Sequence, residues 1–259
     1  MPDTPLPSPR QLEALDLDAH LGDPWRKQAF VTPMFEHIAP RYDAFTRLFS
    51  LGMDARWKSE LMRWFSAHAG ARCDVLDVAC GTGDLAVAAA SARPGAQVRG
   101  VDAAGAMIAR AVARVHASDL QRVRFEQGDL TRLSLPDASV DVVLAGYALR
   151  NVPDHVAALA ELRRVLRPGG SLLTLDFYRP PFAPWRALFL SYLQLAGGSV
   201  GWWWHRAPVI YSYIAHSIRR YVSADEFSRA LAEGGFTVAQ RRDYLLGGIA
   251  LHHAKRRDA

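Results

Sequence analysis

The chain has 259 residues, half of them apolar and 22% charged, enough to bury one substantial core and unlike a disordered or fibrous chain. Its net charge of +5 comes from arginines scattered in small clusters, which argues against a dedicated nucleic-acid binder and leaves attraction to an acidic membrane surface open. Two cysteines, Cys73 and Cys80, offer no metal spacing, and no basic-then-apolar leader is evident, so a cytoplasmic location is expected, with peripheral contact at the inner face of the membrane as an alternative.

Residues 1–24 carry prolines at 2, 5, 7, 9 and 24 and few large apolar groups, and read as a flexible tail. The rest, 25–259, reads as one domain. Residues 25–68 are helical and amphipathic, the pattern of a lid. Phe35, Ile38, Tyr42, Phe45 and Phe49 recur at spacings of three or four, and Pro40 must break or kink the run. From Cys73 the chain alternates strand and helix, with strands expected at 74–79, 98–102, 123–126, 140–145 and 171–177. In the helix before the fifth strand, Asp154 can cap, and Val156, Leu159, Leu162 and Val165 line one face. Arg163, Arg164 and Arg167 suit its C-terminal dipole, and Pro168-Gly169-Gly170 stops it. An aromatic insert at 178–217 interrupts the rhythm before a helix at 224–233 and strands at 237–242 and 249–254. Its longest apolar region, 187–204, contains Gln194 and three glycines and makes a poor membrane span. The insert reads equally as an apolar lid with interfacial tryptophans or as a helical hairpin with tryptophans in its core. The whole implies an α/β fold: a Rossmann-like doubly wound seven-stranded sheet, mostly parallel with an antiparallel C-terminal strand.

The stretch Val75-Leu76-Asp77-Val78-Ala79-Cys80-Gly81-Thr82-Gly83-Asp84 is a strand, a glycine turn and a helix N-terminus. A loop built for pyrophosphate keeps negative charge away from that N-terminus. Here Asp77 and Asp84 frame Gly81 and Gly83, which favours a cationic ligand such as S-adenosylmethionine. NAD fits poorly, because the spaced third glycine of its fingerprint is missing. Asp84 also has the simpler reading of a helix N-cap, and Cys80 that of a small buried filler. Asp102 closes the second strand nineteen residues after Gly83, where a carboxylate can accept both ribose hydroxyls. Asp129, in Gly128-Asp129-Leu130, follows the third strand, where an acid can bind an adenine amino group. Asp141 opens the fourth strand and reads as structural.

With these residues in view, the chain resembles the class I S-adenosylmethionine-dependent methyltransferases, and more narrowly the ubiquinone/menaquinone biosynthesis C-methyltransferase family. The matching stretches run from Phe35 to His252: the segment Phe35 to Asp43, Ser50-Leu51-Gly52-Met53-Asp54 with Trp57, the glycine turn, and Tyr147-Ala148-Leu149-Arg150-Asn151-Val152. Arg167-Pro168-Gly169-Gly170 is shared more widely, and Gly247 to His252 closes the match. The resemblance implies that Thr82, Asp102, Asp129 and Leu130 contact the cofactor. Gly146 stands where the family often has serine, and 194–208, with Trp202-Trp203-Trp204, departs furthest.

The resemblance further implies C-methylation of a prenylated quinol, either demethylmenaquinol or a ubiquinol precursor. A phenolic hydroxyl has a pKa of about 10. Arg150, at the end of the fourth strand, is therefore assigned stabilisation of the quinolate, beside the plainer role of tying down its loop. Asn151 reads as a turn-orderer, His252 as a packed strand residue, Tyr42 as core packing ahead of a residue bordering the active site from the N-terminal lid, and His155 and His216 as surface or packing residues ahead of bases. No metal is expected, and a homo-oligomer is open. Two other functions compete: methylation of another small lipophilic or aromatic metabolite, and methylation of nucleic acid. The latter lacks an Asn-Pro-Pro-aromatic segment after strand four and an appended basic module.

Overall fold

Val75, Leu76 and Val78 are buried in β1 (Asp74–Val78), which lies in the interior of the sheet and so reads as a largely apolar run. The structure, a computed structural model, describes residues 6–118 and 122–258. Strands β2 (Gln97–Asp102), β3 (Val123–Gln127), β4 (Val140–Gly146), β5 (Leu166–Phe177), β6 (Phe236–Tyr244) and β7 (Ile249–Arg256) join β1 in one sheet of order 3-2-1-4-5-7-6. The pairs from β3 to β5 are parallel, and β7 is antiparallel to both neighbours, as expected. The order reverses between β1 and β4, so a crevice opens beyond their C-terminal ends.

Before the sheet come α1 (Pro9–Glu13), α2 (Leu17–Leu21), α3 (Pro24–Ile38), α4 (Tyr42–Phe49) and α5 (Met53–His68). Pro40 lies in a single 3-10 turn between α3 and α4, at the break its ring was expected to impose. The crossover helices are α6 (Asp84–Ala92), α7 (Gly105–Ser118) and α8 (His155–Val165); α9 (Ala183–His205) and α10 (Val209–Arg220) form the insert, and α11 (Ala224–Glu233) precedes β6.

Four features differ from the sequence reading. The described part of the expected flexible tail holds two short helices. Ser8 and Gln11 form a capping box on α1, Leu12 is fully buried, and Glu13 accepts the N–H of Val209. The 25–68 segment is two things rather than one lid: α3 and α4 roof the crevice, while α5 covers a sheet face with Trp57, Leu61, Trp64 and Phe65. Third, α8 ends at Val165, and Arg167 belongs to β5. Its guanidinium bonds Asp74 and Asp141, fixing the start of the central strands; Asp141 is structural, as expected. Fourth, Val156 is exposed, and Ala158 takes its place on the buried face, although Asp154 caps the helix as expected.

The insert is a helical hairpin. Gly197 and Gly201 let α9 approach α10 closely, since a Cβ at either would lie 2.7 Å from the backbone oxygen of Tyr211 or Ala207. It packs with α3 and α4 as a third hydrophobic cluster above the C-terminal edge of the sheet.

Candidate active site

Two cavities meet in the crevice. The first encloses about 700 Å³ of space, part of it open, and runs along the ends of β1, β2, β3 and β4. Gly81, Asp102, Asp129 and Leu130 line it together, with Val101, Met107 and Gly146. Each carboxylate oxygen of Asp102 already holds a backbone N–H: Oδ2 that of Gly81 at 2.8 Å and Oδ1 that of Ala104 at 2.9 Å. Burial raises the pKa of Asp102, while those N–H donors pull it back. One Asp129 oxygen accepts the N–H and hydroxyl of Thr131, which shapes the loop after β3.

Asp77, Thr82 and Gly83 do not line this cavity. Asp77 lies beneath the turn, where one oxygen accepts the N–H of Ala86 at 2.9 Å and the other is buried without a partner. Burial pushes its pKa up to about 8. The Thr82 hydroxyl donates to Asp43 at 2.7 Å. Gly83 adopts φ 82° in van der Waals range of Phe125, where a Cβ would come within 2.6 Å. Asp84 is claimed by Lys58 at 2.7 Å and by Arg114, cations that hold its pKa down against burial. The acidic frame of the turn is thus largely spent inside the protein, and the acids that line the cavity are Asp102 and Asp129, at the neighbouring strand ends.

Ala79 and Tyr147, at the ends of β1 and β4, have φ of +48° and +57°. Such backbone costs about 1–3 kcal/mol per residue and tends to mark functional sites. At Gly146 the missing side chain has a local cause: a Cβ there would meet Leu85 at 2.6 Å.

The second cavity, about 580 Å³, lies between α3, α4 and α10. Phe35, Tyr42, Tyr147 and Asn151 line both cavities and so form their junction. Its walls are apolar and aromatic, and among the described residues that line it only Arg150 carries a charge. Arg150 is 4% exposed, its guanidinium lies 5.6 Å from the Phe177 ring centroid and 5.9 Å from that of Tyr213, and it bonds the Ser217 hydroxyl. Asp176 stands 3.6 Å from its Nε and accepts the Arg150 backbone N–H at 3.0 Å; that Nε has no hydrogen-bond partner.

The family model for the ubiE/COQ5 methyltransferase family matches residues 25–256. The chain belongs to that family. It is an S-adenosylmethionine-dependent methyltransferase. Demethylmenaquinone methyltransferase of Thermus thermophilus is 36% identical over 228 residues, 85% of this chain and 98% of that one. The Deinococcus radiodurans protein of the same name is 36% identical over 230 residues, 89% and 93% of the two chains. Among solved structures, the geranyl diphosphate C-methyltransferase of Streptomyces coelicolor shares the fold with a TM-score of 0.59 at 18% identity, covering 78% of this chain and 81% of that one.

Several residues that buttress the two cavities escaped the sequence reading. Glu36, on α3, accepts the N–H groups of Gly105 at 2.6 Å and Ala106 at 2.9 Å and so closes the first turn of α7 beside the cofactor cavity. The only sequence signal was an acid about one turn before a helix break. Lys58 and Asp54 on α5 reach the same region: Lys58 bonds Asp54 and Asp84, and Asp54 accepts the Tyr147 hydroxyl at 2.7 Å. Lys27 donates to the carbonyls of Arg150 and Val152 at 2.9 and 2.6 Å, and burial lowers its pKa to about 8. Tyr42, for which a place at the border of the site was the second reading, lines both cavities, and burial raises its pKa to about 12. Asn151 orders the turn by donating to the Tyr147 carbonyl and accepting from Tyr213. His252 is a fully buried strand residue, and neither it, His155 nor His216 lines the two cavities. Among the described residues no three His, Cys, Asp or Glu side chains gather as a metal site.

Proposed function

We propose that this methyltransferase methylates a ring carbon of a prenylated quinol of the demethylmenaquinol type. The observation that carries the reading is Arg150, a lone buried cation in the wall of an apolar cavity that joins the cofactor cavity. The homologues of that name, covered almost end to end, support the same head group.

The donor set suits S-adenosylmethionine. The carboxylate edge of Asp102 would take the ribose hydroxyls, Asp129 and Leu130 the adenine edge, and the glycine turn at Gly81 the amino-acid end. Bound there, the cofactor supplies an electrophilic methyl group on a sulfonium. The chain's own residues do the rest. Phe35, Tyr42 and Tyr147 close the junction against water and hold the acceptor ring in line. The Arg150 guanidinium stabilises the quinolate oxygen in a site of low dielectric, and the quinolate pushes electron density onto the ring carbon. The hydroxyl proton leaves to solvent as the quinolate forms. After transfer, loss of the ring-carbon proton restores aromaticity, and the oxygen regains a proton.

Asp176 balances the Arg150 charge from below, and Phe177 and Tyr213 fix its plane. No helix among the described residues is long and apolar enough to cross a membrane. On this reading the chain meets its lipid-dissolved acceptor from the cytoplasmic side.

Labelled S-adenosylmethionine, offered with demethylmenaquinol, a ubiquinol precursor, soluble phenols and tRNA, tests the reading. Label should enter demethylmenaquinol fastest. Label in RNA alone, or in no acceptor, would overturn it.

A further inference from the structure

We infer that the outer face of α9 is a docking surface for an anionic lipid bilayer. The inference rests on the quinol reading for its purpose and on the surface for its evidence. Leu188, Tyr192, Leu195 and Trp202 recur at spacings of three, four and seven, which places them on one side of the helix. All four are exposed, as is Trp203; Leu195 and Trp203 reach 72%. The other side is fixed by Phe189, Leu190 and Leu193 in the cluster and by the close glycine contacts with α10, so the stripe is held outward rather than left to swing.

The stripe continues across the lid. The Tyr192 ring stacks on Phe49 at 6.3 Å, and exposed Leu48 and Leu51 flank Phe49 in the chain. Phe49 itself lines the acceptor cavity. The exposed apolar face and the cavity wall therefore share a residue, which is the arrangement an apolar tail would need to pass from lipid into the site.

Charge chooses the occupant. From Ala187 to Trp204 the helix carries no charged side chain, and between Asp176 and Asp225 the chain has no acid at all, but has five arginines. Arg206 stacks on Trp202 at 4.3 Å, and Arg41 lies 5.6 Å from Trp204 and donates to its carbonyl. Arg47 is exposed beside Leu48. Aromatic rings with arginines at their edge suit the boundary between headgroups and acyl chains, where rings bury and guanidinium groups meet phosphate. A second copy of the chain would bring no acids from this helix to face those arginines. A membrane rich in anionic phospholipid does.

The test is sedimentation of the full chain with vesicles of phosphatidylcholine containing 30% phosphatidylglycerol, compared with pure phosphatidylcholine. Wild-type protein should bind the anionic vesicles, with a blue shift of tryptophan emission, and release in high salt. The double variant Leu195→Glu, Trp203→Glu should bind at least about tenfold more weakly. Its thermal melting and its methyl transfer to a short-tailed, water-soluble quinol should match wild type, since neither residue lines either of the two cavities of the site. Wild-type protein that ignores anionic vesicles, or a double variant that binds them equally well, overturns the inference. So does a wild-type dimer, seen by light scattering, that the variant splits while vesicles remain unbound. If neither protein methylates the soluble quinol, the quinol reading fails, and vesicle binding still decides the surface.

Discussion

The carboxylate of Glu36 accepts the N–H of Gly105 through one oxygen and that of Ala106 through the other. Glu36 belongs to α3 and the two amides to α7, so the roof of the site caps a helix of its floor. Glu36→Ala leaves those N–H groups unpaired beside the cofactor cavity. The loss should cost about 1–2 kcal/mol of stability, the usual worth of a helix cap. Cofactor affinity should fall about tenfold, because the α7 turn and Asp102 share the segment 102–106. Urea unfolding and calorimetric titration measure the two effects separately, and an unchanged affinity would confine Glu36 to stability.

Asp102 supports the glycine turn and lines the first cavity at once, its oxygens holding both Gly81 and Ala104. Asp102→Ala should therefore weaken cofactor binding by about a hundredfold, as two charge-assisted bonds and the ribose contacts go together. Asp102→Asn keeps the size but turns one acceptor into a donor facing an N–H, so it should be nearly as damaging. Equilibrium binding of the cofactor to each variant checks this; an asparagine variant with wild-type affinity would remove Asp102 from the cofactor's partners.

The parallel sheet was legible because β1 and β4 are buried apolar runs, and the turn because only glycine tolerates the φ of 82° at 83. Asp102, Asp129 and Leu130 were legible as strand-end residues, since position in a doubly wound sheet alone sends them to the crevice. Asp77, Thr82 and Asp84 were misjudged for one reason. Linear order cannot say whether a side chain near a turn faces the cavity or the protein: Asp77 turns under the loop to the N–H of Ala86, and the groups that claim Thr82 and Asp84 are distant in sequence. Lys58 lies 26 residues before Asp84, and Asp43 lies 39 before Thr82. The lid failed similarly: α5 and α4 share an amphipathic pattern, and only packing shows that one covers the sheet and the other the crevice. The tail misled because its prolines suggest disorder, while Leu12 finds a pocket made by residues far along the chain.

Arg150 is held by Ser217, Asp176 and two aromatic rings, so removing it has a structural side as well as a chemical one. Arg150→Ala would leave Asp176 buried with its charge uncompensated, a loss of about 3–5 kcal/mol in such pairs. The cleaner variant is Arg150→Lys, which keeps the charge but not the planar fork. It should lower kcat by about a hundredfold, the scale of a removed oxyanion partner, and leave cofactor affinity within about threefold. A lysine variant with unaltered kcat would reduce Arg150 to a structural role.

Acid should unfold the protein through its last strand. Burial lowers the pKa of His252 and of His253 to about 4 from an ordinary value of 6.5. His252 is bonded to Ser228 at 3.1 Å, and His253 to Ser171 at 3.0 Å, with its ring tilted against that of His68 at 4.1 Å between centroids. Between pH 4 and 6.5 the unfolded chain binds more protons at these two sites than the folded one. Stability therefore rises with pH across that window and is lost as pH falls through it. The loss should be about 1–3 kcal/mol for each ring by pH 4. His253→Gln, neutral throughout, should be less stable than wild type at pH 7.5 yet lose less on acidification. Unfolding curves at pH 7.5, 6.0 and 4.5 decide it: parallel losses in both proteins would show that His253 already carries its proton in the folded strand.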